Sequence, residues 1–152
     1  ITYKYNDNSP VTIEDVTACC GEAGALALDD LINAVASNNP ERAIKTYNKL
    51  NEEGVPFIVI LRSIQNHFIR LHSTRAYIDN GLSIEEATKK LSPPLFFKAK
   101  PAFQAQLSRW RLNSISRVLE RLNTLEAQCK STGAPIETLC AQTVLAISKM
   151  RG

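Results

Sequence analysis

The sequence predicts an all-α protein, a helical bundle of about seven or eight helices. Two observations favour this fold class. Apolar residues recur every three or four positions through most of the chain, which is the period of an amphipathic helix. Prolines and glycines divide the chain into segments of ordinary helix length. Only residues 2–5 alternate in the manner of a strand.

The first two helices are predicted on either side of a glycine-containing break. Thr12 can cap a short helix, because Asp15 three residues later completes a pattern close to a capping box. We expect this helix to end near Gly21 and a loop to continue through Gly24. A second helix is expected over residues 28–36, where apolar residues share one face.

The next two helices are marked by residues at their ends. Asn39 can cap a helix whose first position is Pro40, and Gly54 closes that helix. The longest helix is predicted from Pro56 to about residue 80, with Gly81 as its stop. Its apolar residues repeat at helical spacing: Phe57, Ile60, Leu61, Ile64, Phe68 and Leu71.

Four further helices are predicted in the remainder of the chain. A capping box at residues 83–86 opens a short helix to about residue 91. Three helices follow over about 95–110, 112–131 and 135–149, and Pro101 either bends the first of them or marks its true start. Their inner positions are predicted to be Phe96, Phe103, Leu107 and Trp110, then Ile115, Val118, Leu119, Leu122 and Leu125, then Ile136, Leu139, Thr143, Val144 and Ile147.

The composition is that of a globular domain, with 44% hydrophobic and 22% charged residues. No apolar run is long enough to span a membrane, and no secretory signal precedes the first helix. The net charge of +3 permits contact with nucleic acid but does not require it. Because the chain does not begin with Met, we expect it to be a piece of a longer protein.

The sequence shows no arrangement typical of catalysis, of a metal site or of cofactor binding. His67 and His72 lie five residues apart, which is not the spacing of paired helical metal ligands. Phosphate-binding glycine motifs and serine nucleophile motifs are absent. Adjacent carboxylates diverge by about 100° on a helix, so they do not converge on a substrate. We interpret the four cysteines, Cys19, Cys20, Cys129 and Cys140, as small buried residues of a reduced cytosolic protein.

Basic residues are concentrated in the C-terminal half of the chain. Arg117 and Arg121 lie one helical turn apart and share a face. A solvated helix surface is the ordinary explanation of such a pattern. Contact with phosphates, or pairing with acidic residues of a partner subunit, remains open.

Several short segments, taken together in order and spacing, resemble a known family. They are Leu-Asp-Asp-Leu-Ile at 28–32, Gly-Val-Pro at 54–56, Pro-Pro-Leu-Phe-Phe-Lys at 93–98, and Cys-Lys at 129–130 with Thr-Gly at 132–133. In these segments the chain resembles the C-terminal part of the delta subunit of bacterial DNA polymerase III, a subunit of the sliding-clamp loader. The resemblance covers nearly the whole chain.

This resemblance implies a division of the chain into two parts. Residues 1–24 would be the end of the second domain, a small helical domain like the lid of an AAA+ ATPase. Residues 25–152 would form the collar, a helical domain for oligomerisation.

The resemblance also implies a non-catalytic role for this part of the protein. The collar would assemble the pentameric clamp loader, which loads the sliding clamp onto primed DNA. Its partners would be the motor and delta-prime subunits, with the sliding clamp contacted through an N-terminal module outside this chain and with primer–template DNA within the assembly. The parent complex would be the DNA polymerase III holoenzyme, a nucleotidyltransferase of the cytoplasm. No intrinsic catalysis, cofactor, metal or membrane is expected for this piece.

Two groups of residues are the candidate sites. The candidate subunit interface comprises exposed positions of the long helix and of the later helices: Arg62, His67, Arg70, Arg117 and Arg121. The second candidate is the loop of Lys130, Ser131, Thr132 and Gly133, whose lysine and hydroxyl groups suit contact with DNA phosphates. That loop also fits an ordinary glycine-terminated helix connection. For the whole chain, a stand-alone helical nucleic-acid-binding domain and a small helical enzyme remain as alternatives.

Overall fold

Seven α-helices account for most of the described part of this computed structural model, which covers residues 13–91, 97–131 and 133–150, with side chains from residue 24 onward. No strand occurs in those ranges, so the all-α prediction is confirmed. A short 3-10 turn, Phe97–Ala99, precedes the fifth helix. In chain order the helices are α1 (Ile13–Ala36), α2 (Pro40–Glu52), α3 (Phe57–Asp79), α4 (Ile84–Lys89), α5 (Lys100–Arg109), α6 (Leu112–Cys129) and α7 (Ile136–Ser148).

The first helix differs from the prediction. Helix α1 runs without interruption through Gly21 and Gly24, so the predicted loop between two shorter helices is wrong. Each glycine weakens a helix interior by only about 1 kcal/mol relative to alanine. The part of α1 after Gly24 packs against α2, α3 and α7, with Leu31 and Val35 fully buried. The proposed domain boundary after residue 24 lies inside this unbroken helix and stays a prediction.

The helix ends predicted from Asn39, Ser83 and Gly54 are confirmed, whereas the predicted Thr12 cap lies outside the described residues. The Arg42 backbone N–H donates to Asn39 Oδ1 at the start of α2, over 3.3 Å. The Glu86 backbone N–H donates to Ser83 Oγ at the start of α4, over 3.2 Å. Gly54 ends α2 with φ +79°, in the left-handed region that other residues adopt only with strain.

The later helices are slightly shorter than predicted. Helix α5 begins at Lys100, with Pro101 in its first turn, so the proline marks the start of the helix and does not bend it. Residues 92–96, with the predicted inner residue Phe96, lie outside the described residues. Helix α6 ends at Cys129, and α7 begins directly after Pro135.

The core lies around α3, which packs against α1, α4, α5, α6 and α7. Its largest fully buried side chains include Phe68 and Trp110, whose rings meet edge to face at 5.3 Å between centroids. The inner positions predicted for α5 to α7 are mostly confirmed as buried, whereas four are only partly buried: Leu119, Ile136, Leu139 and Thr143.

Candidate subunit interface

Arg62 joins two helices inside the domain. Its Nη2 lies 3.6 Å from Glu126 Oε1 of α6, and the two side chains are 17% and 20% exposed. The other oxygen of Glu126 lies 3.4 Å from Lys130 Nζ. Glu126 is therefore shared between α3 and the start of the loop before α7. The Arg62 side chain therefore pairs across the contact between α3 and α6.

His67, which we expected to be a surface or interfacial residue, takes part in an internal polar chain. Its Nε2 lies 2.6 Å from Gln106 Oε1, and the Gln106 amide donates to Asn33 Oδ1 over 3.2 Å. Because an amide oxygen only accepts, His67 Nε2 is the donor. These two hydrogen bonds connect α3, α5 and α1 through side chains that are far apart in sequence.

The surroundings of His67 keep its imidazole neutral at pH 7. The rings of Phe68 and Phe103 make edge-to-face contacts with the His67 ring, at 6.0 and 5.8 Å between centroids. Burial lowers the pKa of His67 to about 4; the hydrogen bond to Gln106 opposes this shift and the charge of Arg70 adds to it. The residue is thus a hydrogen-bond donor and not a cation.

Arg70 lies at the edge of the domain, next to Ile69, which is 49% exposed. The Arg70 side chain is partly buried, and desolvation lowers the pKa of its guanidinium. A guanidinium that is already partly desolvated loses less hydration when a partner covers it. Arg70 therefore remains a reasonable contact residue.

Arg117 and Arg121 lie exposed on α6. Among the side chains described in residues 24–91, 98–131 and 133–150, neither forms an ion pair. They differ in this respect from Arg62 and His67, whose polar atoms contact residues of the same chain. The structure thus divides the five predicted interface residues between internal contacts and the surface.

The loop after α6 is exposed where the structure describes it. Ser131 and Gly133 are exposed, and Gly133 has φ +77°. Thr132 lies outside the described residues. Lys130 is exposed but also approaches Glu126, so its charge is partly balanced within the chain.

The sequence reasoning missed a group of contacts where three helix C-termini meet. We call it the C-terminal junction and define it by Asn38, Arg109 and Trp110. Trp110 Nε1 donates to the Ala36 carbonyl at 2.7 Å, and Arg109 Nη1 donates to the Ser37 carbonyl at 3.0 Å. These bonds fasten the end of α5 to the end of α1. These bonds leave no periodic signal in the sequence, although the indole N–H of a buried tryptophan usually has a hydrogen-bond acceptor.

Asn38 brings the third helix into the C-terminal junction. Its Nδ2 donates to the Ser148 carbonyl at 3.2 Å and to the Met150 carbonyl at 2.6 Å, across the end of α7. Asn38 has φ +58°, a left-handed conformation that asparagine tolerates better than most residues. One turn residue therefore connects the ends of α1 and α7.

A comparison with protein-family models decides the family. The model described as DNA polymerase III delta subunit, C-terminal domain, matches residues 29–147, which is more than three quarters of the chain. The chain belongs to this family. No curated protein and no solved structure matches it. Family membership gives the chain the role of a non-catalytic domain of a clamp-loader subunit.

Three further observations describe the chemistry of this delta-family domain. Among the described side chains, no group of three or more His, Cys, Asp or Glu lies in a position to hold a metal ion. Burial raises the pKa of the Cys140 thiol to about 12 and raises that of Cys129, so neither is a ready nucleophile at neutral pH. None of the described helices combines the length and apolarity needed to cross a membrane.

Proposed function

We propose that this domain is the helical collar of a delta subunit, and that it assembles the pentameric clamp loader which loads the sliding clamp onto primed DNA. The observation that carries the proposal is the match of the delta C-terminal family over residues 29–147. The all-α architecture of the described residues supports it. The role is mechanical: the collar holds the subunit in register while other subunits hydrolyse ATP.

Burial of apolar surface between subunits can supply the free energy that such an assembly needs. A typical interface buries about 1,600 Å² in total, and apolar burial contributes about 25 cal/mol per Å² before the entropy of association is subtracted. Exposed apolar side chains are available on α3 and α4, where Ile69, Tyr77 and Ile84 are 49%, 40% and 37% exposed.

The proposed contact residues fall into two roles. Arg70, Arg117 and Arg121 would touch a partner directly, a role supported by the exposure of Arg117 and Arg121 and the partial exposure of Arg70. Arg62 and His67 would act indirectly, by fixing the position of α3 through Glu126 and Gln106. We expect substitutions of these two to affect the stability of the domain before they affect assembly.

The proposed partners are the motor and delta-prime subunits, in the cytoplasm. The sliding clamp would be contacted through the N-terminal module of the intact protein, and the polymerase activity would belong to the holoenzyme. Co-purification of the intact protein with the motor and delta-prime subunits tests the proposal. We expect one stable complex. An intact protein that stays separate while the other subunits assemble would contradict the proposal, and salt-sensitive DNA binding by the protein alone would favour the stand-alone alternative.

The loop of residues 130–133 is proposed to approach primer–template DNA within the assembled loader. Its support is limited to the exposure of Lys130, Ser131 and Gly133. The contact of Lys130 with Glu126 reduces its free charge, so we expect a weak phosphate contact. Photo-crosslinking from position 131 in the loader bound to primed DNA tests it, with an exposed position on α2 such as Asn48 as the control. A loop that crosslinks no more than Asn48 would contradict the contact.

A further inference from the structure

Two cysteine side chains meet where α6 packs against α7. Cys129 is the last residue of α6, and Cys140 lies in the second turn of α7. Both are free cysteines of the same apolar core, 7% and 2% exposed. Their thiols lie within hydrogen-bond reach of each other. Two helices joined by a short loop therefore hold a pair of sulfur atoms in contact.

Helix α2 encloses this pair from a third side. The Tyr47 hydroxyl of α2 lies within hydrogen-bond reach of the Cys140 thiol. The same hydroxyl donates to the carbonyl of Glu137, which lies three residues before Cys140 on α7. Because α7 packs against both α2 and α6, the two thiols lie inside a contact of three helices. Packing thus gives each thiol a high effective concentration at the other.

Mutual contact distinguishes these cysteines from isolated core residues. A buried cysteine alone indicates only that a small apolar side chain fits its position. A disulfide requires two cysteine side chains that point towards each other. Cys129 and Cys140 meet this requirement from different helices, and the residues between them form a connection short enough to close into a ring.

We propose that Cys129 and Cys140 form a reversible disulfide, with a low-molecular-weight disulfide such as oxidised glutathione as the oxidant. The thiolate of one cysteine attacks a sulfur of the oxidant, forms a mixed disulfide and releases one glutathione. The thiolate of the other cysteine then attacks the protein sulfur of that mixed disulfide and releases the second glutathione. Two protein thiols are oxidised, one glutathione disulfide is reduced to two thiols, and the two cysteine protons pass to them.

The bond adds a redox-dependent constraint to the domain. It closes a ring over residues 129–140, which includes the loop of residues 130–133. In the oxidised form the end of α6 is joined covalently to α7, whereas in the reduced form noncovalent packing alone holds α7. Disulfides of cytosolic proteins are usually transient and redox-sensing, which is the behaviour expected of a pair that gains and loses this bond.

The test measures the disulfide at equilibrium. Burial raises the pKa of the Cys140 thiol to about 12 and also raises that of Cys129, so thiol exchange is slow in the folded protein. The intact protein is equilibrated in glutathione redox buffers, in native buffer and in urea, from both the reduced and the oxidised form. After alkylation of the remaining thiols, peptide mass spectrometry quantifies the Cys129–Cys140 bond. We expect its equilibrium constant to be at least about tenfold larger in native buffer than in urea.

The matched control moves one thiol by a single position along α6. Gln128→Cys/Cys129→Ser transfers the thiol from the buried Cys129 to the exposed Gln128, about 100° around the helix. The separation from Cys140 along the chain changes by one residue, so the two pairs should behave alike in urea. In native buffer the shifted pair should gain less than about twofold over its value in urea.

Three results would overturn the proposal. The first is a wild-type equilibrium constant that is no larger in native buffer than in urea, a comparison that does not depend on the variant. The second is a native product that consists of glutathione mixed disulfides, or that joins Cys19 or Cys20 to either residue. The third is an equal gain in the shifted pair, which would show that nearness of the helices and not the thiol contact is the cause. By linkage, the oxidised wild type should unfold at a higher urea concentration than the reduced one.

Discussion

At the scale of single residues, burial changes the chemistry of side chains that the sequence leaves undefined. His67 is followed by Phe68 and precedes Arg70, so its neighbours in sequence suggest neither a buried nor an exposed position. The fold places its ring between aromatic rings and gives its Nε2 an amide acceptor. Its pKa, lowered to about 4, makes the stability of the domain depend on pH.

We expect the domain to lose stability as the pH falls from about 6.5 towards 4. In this window the unfolded chain binds a proton at His67 and the folded chain does not, so the free energy of unfolding decreases with decreasing pH. A pKa difference between 6.5 and about 4 corresponds to at most about 3 kcal/mol. Urea unfolding of the wild type and of His67→Gln at several pH values measures the effect.

The control for this expectation is His72→Gln, which changes the other histidine of the same helix. It should keep the pH dependence of the wild type between pH 6.5 and 4, whereas His67→Gln should lose most of it. Equal pH dependence in the wild type and in His67→Gln would show that His67 titrates normally and would contradict its enclosed position.

We also expect the thiols of Cys129 and Cys140 to resist modification in the folded domain. Both are buried, and burial raises the pKa of each thiol, so the reactive thiolate is scarce at neutral pH. Reaction with a chromogenic disulfide reagent is measured in a Cys19→Ser/Cys20→Ser background. Both thiols should react only after urea unfolds the protein. Rapid reaction in the absence of urea would contradict their burial.

The candidate site was the least predictable part of the molecule at this scale. The sequence identifies Arg62 and His67 as polar residues on a helix, and polarity suggests a surface. Their partners, Glu126 and Gln106, lie far along the chain and are selected by the packing of α3 against α6 and α5. No local pattern encodes those pairings. Arg117 and Arg121, which need no partner to remain exposed, lie where their helical spacing predicts.

At the scale of helices, the sequence was most informative where a boundary depends on nearby residues. Asn39, Ser83 and the glycines after α2 and α3 act within one turn, so α2, α3 and α4 follow the prediction closely. Helix α1 departs from it because a glycine costs a helix interior only about 1 kcal/mol, so Gly21 and Gly24 do not have to end the helix. The two uses of Pro101 were equally compatible with its local sequence, and the structure places it in the first turn of α5.

We expect the end of α2 to depend on the backbone conformation of Gly54. Its φ of +79° strains an L-residue, although a Cβ at this position would meet no atom within 4 Å. Gly54→Ala should therefore lower the free energy of unfolding by about 1 kcal/mol through strain alone. Gly54→Asn should lower it less, because asparagine tolerates the left-handed region. Urea unfolding compares the two variants, and equal losses would show that strain is not the cause.

At the scale of the whole molecule, the C-terminal junction connects parts of the chain that are far apart in sequence. Asn38 bonds to carbonyls 110 and 112 residues away, across the end of α7. Helix α7 also packs against α1, α2 and α3. The bundle is therefore completed by its last helix, and the junction gives that helix a fixed end.

We expect Asn38→Gly to lower the free energy of unfolding by about 1–3 kcal/mol. Glycine keeps the left-handed conformation, so the loss reports the hydrogen bonds from Nδ2. Asn38→Asp should cost more, because its carboxylate places a negative charge against the Ser148 and Met150 carbonyls to which Nδ2 now donates. Arg109 Nη1, 3.4 Å from Asn38 Oδ1, offsets part of that repulsion. Urea unfolding measures both variants. An aspartate variant as stable as the glycine variant would contradict the electrostatic part of this account.

The contacts of α7 also have a consequence for synthesis of the protein. The Tyr47 hydroxyl of α2 donates a hydrogen bond to the Glu137 carbonyl at 3.1 Å. The Asn38 side chain donates to the carbonyls of residues 148 and 150. While the residues after α6 are still inside the ribosomal exit tunnel, the carbonyls of Glu137, Ser148 and Met150 cannot accept these hydrogen bonds. The apolar surface that α7 covers on α1 and α2 is then still exposed, so we expect this domain to complete its fold only after residue 150 has left the tunnel.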